Sequence, residues 1–118
     1  MAQNYRDLIV WQKSMDLTVD VYKLSAKLPD SERFGLRSQM QRAASSIPMN
    51  IAEGYAREHR GEYIHHLSFA RGSLAELETQ LVLVTRLEMI GRDEIKPLWN
   101  QADELGKILR AMISKLKE

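Results

Sequence analysis

Apolar side chains recur at intervals of three and four residues along four segments of the chain, which is the spacing of one face of an α-helix. The most regular segment runs from Tyr63 to Val84, and a similar one, whose apolar side includes Trp99, runs from Ile95 to Leu116. Between about residues 7 and 28 the apolar positions are so numerous that they predict a wide buried face. Its members are Leu8, Val10, Trp11, Met15, Leu17, Val21, Tyr22, Leu24 and Leu28.

The residues that break helices fall between these segments, at Pro29, Gly61 and Gly91. We expect Gly91 to cap the C-terminus of the third helix. No stretch alternates apolar and polar residues as a strand would, and connections this short place consecutive helices antiparallel. The sequence therefore predicts an all-α fold, an up-down-up-down antiparallel four-helix bundle, with residues 1–118 as a single domain.

The second helix is expected to run from about Glu32 to Arg57 and to bury a stripe from Leu36 to Tyr55. Beside this stripe, residues three or four positions apart are mostly polar. They are Gln39, Arg42, Ser46, Asn50, Glu53 and Arg57. The far side of the helix is small, neutral or apolar, and it consists of Ser38, Gln41, Ser45, Met49, Ala52 and Ala56.

A helix surface that faces solvent ordinarily carries Lys and Glu, so the uncharged side of the second helix needs an explanation. Either Ser and Ala are simply acceptable at the surface, or a neighbouring subunit covers them. The second explanation predicts a homo-oligomer. The residues assigned to its interface and to the buried polar contacts are Gln39, Arg42, Ser45, Ser46, Pro48, Met49, Asn50, Ala52, Glu53 and Gly54.

Pro48 lies inside this predicted helix. It removes the amide that would bond to the carbonyl of Ala44, which costs about 3 kcal/mol in a helix interior, and it predicts a kink near that position. Ser45, Ser46 or Asn50 are expected to bond the backbone left unpaired there.

Composition and charge narrow the classes of function. The chain has 118 residues and no cysteine, which excludes disulfides, thiolate nucleophiles and cysteine-ligated metals. Seventeen basic and 16 acidic side chains give a net charge of +1, so a polyanion site would have to be local. Charges at Arg6, Asp7 and Lys13 interrupt the apolar start of the chain, and we expect a cytoplasmic protein without a signal peptide or membrane span.

Catalytic and metal-binding patterns are weak. Glu62 and His65 form one Glu-x-x-His pair, where carboxylate-bridged metal bundles use two. His59, Glu62 and His66 share a helical side, but a closed site would need ligands from another helix. Ser45 and Ser46 have neither a histidine within sequence reach nor a nucleophile elbow, and no Gly-rich phosphate loop is present. We expect no catalytic residues, no metal and no cofactor.

A basic region could bind nucleic acid. Residues 33–60 contain two carboxylates, Glu53 and Glu58, and five cationic side chains: Arg33, Arg37, Arg42, Arg57 and Arg60. Repeated around an oligomer, these arginines would engage phosphates with strong salt dependence, and RNA or DNA is the expected partner. The alternative is that Arg37 and Arg42 pair with carboxylates across a subunit interface.

Three stretches of sequence carry a resemblance to a known family. They are "DLIVWQKSMDL" near the start, "LRSQMQRAASSIPMNIAEG" at residues 36–54 and "GSLAELETQL" at residues 72–81. Together they resemble the four-helix-bundle family named for proteins encoded in 23S ribosomal RNA intervening sequences. That family includes relatives of the accessory variability protein of diversity-generating retroelements.

The resemblance implies a homopentameric ring or barrel of four-helix bundles. For the retroelement relatives it also implies a basic surface that binds nucleic acid and docks a reverse transcriptase. Arg42, Ser46, Asn50, Glu53 and Gly54 match the family's polar stripe, which is expected to organise buried hydrogen bonds and subunit packing. Gln41 and Ser45 depart from the family's usual basic and aliphatic residues, which weakens the expectation of polyanion binding.

Three functions stay open at this point. The first is a non-catalytic homo-oligomeric scaffold or accessory protein that binds nucleic acid. The second is a structural or protein-interaction oligomer without nucleic acid. The third, a metal-binding bundle, has the least support from the sequence.

Overall fold

A computed structural model of the chain describes residues 4–118 and contains four α-helices. They are α1 (Ile9–Ser25), α2 (Leu36–Ala56), α3 (Arg60–Arg86) and α4 (Arg92–Leu116). Short 3₁₀ turns lie at Tyr5–Asp7 and Asp30–Glu32. The predicted all-α four-helix bundle is confirmed.

Each helix packs against its neighbours in the chain, and α1 closes the bundle against α4. The bundle measures 43 × 22 × 20 Å, so its long axis follows the helices. The core is formed by the predicted stripes of α2 and α3 together with one side of α1 and one side of α4. Its largest fully buried side chains include Leu17, Met40, Ile47, Ile51, Leu67, Leu77, Leu81, Leu105 and Leu109.

The prediction of a wide buried face on α1 is correct for one side of that face and wrong for the other. Val10, Leu17 and Val21 are buried, but Met15 and Tyr22 are 37% and 45% exposed. The reason is that α2 and α4 are the only α-helices that α1 contacts, so within residues 4–118 no α-helix covers the side of α1 beyond the α2 contact. Apolar spacing predicts the helix correctly, but it overestimates how much of the helix one chain can bury.

The end of α3 also differs from the prediction. Gly91 does not cap α3. Instead the helix ends at Arg86, and Glu88 adopts the left-handed conformation with a φ of 58°. The amide of Met89 donates to the carbonyl of Val84 at 3.0 Å, which satisfies one of the last carbonyls of the helix. Gly91 instead precedes α4 as its N-cap residue, in extended conformation.

Pro48 lies within an uninterrupted α2. The carbonyl of Ala44, which loses its helical partner there, is bonded from another helix: the hydroxyl oxygen of Thr18 in α1 lies 3.1 Å away. Thr18 Oγ1 is also 2.7 Å from the carbonyl of Ser14, so its single hydrogen is shared between the two carbonyls. The predicted donors Ser45 and Asn50 bond the carbonyls of Arg42 and Ser46, so their assignment to the Ala44 carbonyl is wrong. The kink near Pro48 stays a prediction.

Candidate assembly and binding surfaces

A series of hydrogen-bonded polar side chains joins α2 to α3, and we call it the α2–α3 network. The hydroxyls of Ser46 and Ser73 lie 2.6 Å apart. The amide nitrogen of Asn50 lies 2.9 Å from the carbonyl and 3.2 Å from the hydroxyl of Ser46. His66 Nδ1 lies 3.1 Å from Asn50 Oδ1. Ser46 and Asn50 therefore orient α3 against α2 within one chain, whereas Gln39, Arg42 and Glu53 of the same predicted stripe are exposed.

The α2–α3 network fixes which atom of His66 carries a proton. Asn50 Nδ2 is the donor toward Ser46, and Asn50 Oδ1, a carbonyl oxygen with no hydrogen, can only accept. His66 Nδ1 must then donate, and in the neutral ring the lone pair lies on Nε2. His66 is thus held by its own bundle, which is a structural role.

Gly54 lets α2 and α3 approach closely where they near their common end. A β-carbon on Gly54 would lie 2.7 Å from the β-carbon of His66 and 3.2 Å from Cδ1 of Tyr63. The His66 β-carbon cannot rotate away, because it is bonded directly to the backbone of α3. A side chain at position 54 would therefore require α3 itself to move.

An uncharged surface extends over the outer sides of α1 and α2, and we call it the α1–α2 face. The two helices meet beneath it, where Thr18 reaches Ala44 and Gln41 donates to the hydroxyl of Ser25. On α2 the face includes the half-buried Ser45 and Ala52 and the exposed Met49. On α1 it consists of Gln12, Met15, Val19, Tyr22 and Ala26, at spacings of three and four residues.

The α1–α2 face is apolar as well as uncharged. Met49 is 60% exposed and Tyr22 is 45% exposed, and Val19 lies where the face meets a charged groove between α1 and α4. Contiguous exposed apolar surface rimmed by polar residues marks interaction sites more often than scattered apolar residues do. The sequence pointed to the α2 half of this face, but it assigned Met15 and Tyr22 on the α1 half to the core.

Two of the five arginines predicted to bind nucleic acid are engaged within the chain. Arg37 Nε donates to the carbonyl of Ser25 at 3.1 Å, and its Nη2 donates to that of Leu28 at 2.6 Å. These carbonyls belong to the C-terminal turn of α1 and the residues after it, where a cation is favourable. Arg57 lies 3.0 Å from Glu53 and 3.7 Å from Glu62.

The five arginines do not form one patch on a single chain. Arg33 precedes α2 while Arg57 and Arg60 follow it, and the 21 residues of α2 span about 30 Å. Arg42 lies between them, with an exposed side chain. Only an assembly of several chains could bring arginines from the two ends together.

A groove that sequence analysis did not single out lies between α3 and α4, and we call it the α3–α4 groove. It has a volume of about 520 Å³, and the residues that matter for its chemistry are Val82, Thr85, Arg86, Arg92, Lys96 and Trp99. Trp99 was expected in the core but is 39% exposed. The spacing of Arg92, Lys96 and Trp99, four residues and then three, is the signal that places them on one side of α4.

The contact between α3 and α4 becomes acidic one helical turn beyond this groove. Glu78, half-buried on α3, has a pKa raised above its ordinary value of 4.5, mainly because burial disfavours the charge and also because Asp103 lies nearby. Arg110 acts in the opposite direction. The Glu78 carboxylate is therefore a destabilising charge at neutral pH.

We expect Glu78→Gln to stabilise the protein at pH 7. The raised pKa means that the folded state favours the protonated form of Glu78. The stability that this form contributes is complete at pH values below the pKa of the unfolded state. It is lost as the pH rises through the higher pKa of the folded state. Gln imitates the protonated form at every pH. Thermal unfolding should show a gain of about 1 to 2 °C at pH 7, the size typical of a partly exposed substitution.

The gain from Glu78→Gln should vanish at about pH 3.5, where wild-type Glu78 is itself protonated. Glu76→Gln, at an exposed position on the same helix, is the matched control for the loss of one negative charge. An equal gain from both variants at pH 7 would show that net charge, and not burial of Glu78, is responsible.

Comparison with known protein families identifies the family of this chain. A family model described as 23S rRNA-intervening sequence protein matches residues 6–111. The chain belongs to this family. The match begins within the 3₁₀ turn Tyr5–Asp7 and ends in the last two turns of α4, so it includes the α1–α2 face, the α2–α3 network and the α3–α4 groove.

A solved structure supports the same assignment for this 23S rRNA-intervening sequence family protein. It is the 1.70 Å crystal structure of a protein of unknown function from the S23 ribosomal protein family of Bacteroides thetaiotaomicron. The two chains are 29% identical, and the match covers 89% of this chain and 98% of that one with a TM-score of 0.83. The search of curated proteins gave no match. The relation to the retroelement accessory protein stays a prediction.

The described part of this family member, residues 4–118, contains no cluster of three or more His, Asp and Glu side chains arranged to hold a metal ion. Two of the four side chains considered for such a site, Glu62 and His66, have other partners. Glu62 lies near Arg57, and His66 bonds Asn50. No helix among the described residues is long and apolar enough to span a membrane.

Proposed function

We propose that this protein is a non-catalytic scaffold that assembles with copies of itself through the α1–α2 face. We further propose that the assembly binds nucleic acid as an accessory protein. The observation that carries the proposal is the α1–α2 face itself: two neighbouring helices present uncharged, partly apolar stripes side by side. A helix that faced only solvent would carry charge at these positions.

The chemistry of the α1–α2 face supports a second copy as its occupant. Its small residues on α2, Ser45 and Ala52, let another backbone approach closely, and its methionines fill irregular gaps at a contact. An uncharged surface of a neighbouring copy would match this face, and in a ring that surface is a different part of the copy, because ring contacts are head to tail. The family resemblance implies five copies.

Substitution of Met49 by Glu tests the assembly. Met49 is 60% exposed, so the change should leave the fold of one chain intact while placing a charge in the contact. By native mass spectrometry at micromolar concentration we expect the wild type to be an oligomer and Met49→Glu to be mainly a single chain.

Val82→Glu is the matched control for this experiment. Val82 is an exposed apolar residue on α3, outside the α1–α2 face. It should leave the oligomer intact. A wild-type protein that is already a monomer, or dissociation by Val82→Glu alone, would contradict the proposal.

Support for the nucleic-acid part comes from the family's name and from the arginines outside the internal contacts. Arg42 and Arg60 are exposed, and within residues 4–118 neither forms an ion pair with a carboxylate. Repetition of these cations in an oligomer would multiply the phosphate contacts. The alternative, a structural oligomer without nucleic acid, predicts that no RNA or DNA is retained even at about 50 mM salt, where phosphate contacts are strongest.

A further inference from the structure

Three cations border the α3–α4 groove without a carboxylate partner. Arg86, Arg92 and Lys96 all line it, and within the described chain none forms an ion pair, although Asp93 also lies in the groove. Elsewhere Lys13, Lys27 and Lys107 pair with acidic side chains. The groove therefore has a net positive charge that the protein itself does not neutralise.

The same groove offers an aromatic surface. Trp99 is 39% exposed there, beside Val82, which is equally exposed. An exposed indole beside an apolar side chain provides a flat surface on which another ring can stack. Stacking of a base on an aromatic side chain contributes about 1 to 3 kcal/mol to binding. The cations and the indole thus present two complementary kinds of contact within one groove.

We propose that the α3–α4 groove binds a nucleoside phosphate, with the base against Trp99 and the phosphates against the three cations. Its volume of about 520 Å³ lies in the range of sites for small organic ligands. A nucleoside triphosphate carries several negative charges on adjacent phosphate groups. It therefore matches three neighbouring cations better than a ligand with a single carboxylate does.

The extent of the groove limits the ligand to about one nucleotide. One turn beyond Val82 and Trp99, toward the middle of the bundle, lie Glu78 and Asp103, which would repel a continuing phosphate chain. An extended acidic peptide would meet the same repulsion. The nucleotide could be free in solution or could be the end of an RNA strand whose other nucleotides lie outside the groove, and comparison of ATP with an oligoribonucleotide separates these sources.

Fluorescence of Trp99 tests the proposal. Trp11→Phe leaves Trp99 as the only tryptophan. In this protein, ATP should quench the emission in a saturable way at concentrations up to about 1 mM. Tripolyphosphate, which lacks a base, and adenosine, which lacks phosphate, should each bind about tenfold more weakly, because each loses one of the two kinds of contact.

Variants separate this groove from the rest of the protein. By calorimetry, Trp99→Leu and the double variant Arg86→Gln with Arg92→Gln should each weaken ATP binding about tenfold. The matched control is Lys115→Gln with Lys117→Gln, which removes two exposed cations at the opposite end of α4 and should leave ATP affinity within about twofold. Circular dichroism checks that each variant is folded.

Comparison of ATP with a six-residue oligoribonucleotide identifies the source of the ligand. Tighter binding of the oligomer indicates an RNA strand, tighter binding of ATP indicates a free nucleotide, and both agree with the site. The inference is overturned if ATP gives no saturable quenching, if tripolyphosphate or an Asp/Glu-rich peptide binds as tightly as ATP, or if the control variant loses as much affinity. It does not rest on assembly, since the oligomeric state is measured separately through Met49→Glu.

Discussion

Gly54→Ala should destabilise the protein by about 0.5 to 2 kcal/mol, although alanine is the better helix former. A new β-carbon would lie 2.7 Å from that of His66 and 3.2 Å from the ring of Tyr63, so α3 must shift away from α2. Overpacking of this kind costs about 1 to 3 kcal/mol or more, and the propensity gain of about 0.5 to 1 kcal/mol offsets it only in part. Urea unfolding measures the difference.

Gly72→Ala is the control for Gly54→Ala. Gly72 lies within α3, and a β-carbon there would meet nothing within 4 Å. The same chemical change should therefore stabilise the protein by about 0.5 to 1 kcal/mol. The changes in the free energy of unfolding have opposite signs at the two positions only if contact of the new β-carbon with α3 decides the outcome at position 54. A stabilising Gly54→Ala would contradict the close approach.

A second readout follows the displacement itself. If α3 moves, the 3.1 Å contact between His66 Nδ1 and Asn50 Oδ1 should lengthen. The ring proton on Nδ1 should exchange faster in Gly54→Ala than in the wild type, and its exchange should be unchanged in Gly72→Ala. NMR of the histidine rings would detect this change.

Apolar spacing predicted the four helices because the period of about 3.6 residues is a local property of the chain. The same spacing could not say which side of a helix finds a neighbour. Met15 and Tyr22 continue the apolar side of α1 past the contact with α2, and Trp99 does the same on α4, so all three were assigned to the core and are partly exposed. Burial depends on how the helices are arranged around the bundle.

The candidate surfaces could be predicted only where their signal was local. The uncharged side of α2 is visible in the sequence because every third or fourth residue lacks charge. The partners of Arg37 are carbonyls at the end of α1, and backbone groups leave no mark in a sequence. Gly54 was similarly assigned to the subunit interface, because its close approach to His66 is a distance between two helices that the sequence does not show.

Thr18→Val should cost about 1 to 3 kcal/mol, because it leaves the buried carbonyl of Ala44 without a partner. Valine has nearly the shape of threonine, so the change removes the hydroxyl and little else. In an ordinary helix the loss would be minor, since the amide four residues later already bonds the carbonyl. Here that position is Pro48, which has no amide hydrogen.

Pro48→Ala should make Thr18 dispensable. Alanine supplies the amide that bonds the Ala44 carbonyl, so Thr18→Val should cost at least about 1 kcal/mol less in that background than in the wild type. Urea unfolding of the two single variants and the double variant measures this coupling. The cost of Pro48→Ala itself cancels in the comparison.

Thr85→Val is the matched control for the Thr18 hydroxyl. Thr85 is also half-buried, and its hydroxyl bonds the carbonyl of Leu81 four residues earlier at 2.9 Å, but no proline removes the helical partner of that carbonyl. This variant should change stability by no more than about 0.5 kcal/mol. Equal costs for Thr18→Val with proline and with alanine at position 48 would mean that the hydroxyl does not compensate the proline. A large coupling would instead show that α1 supplies the hydrogen bond that allows α2 to continue through Pro48.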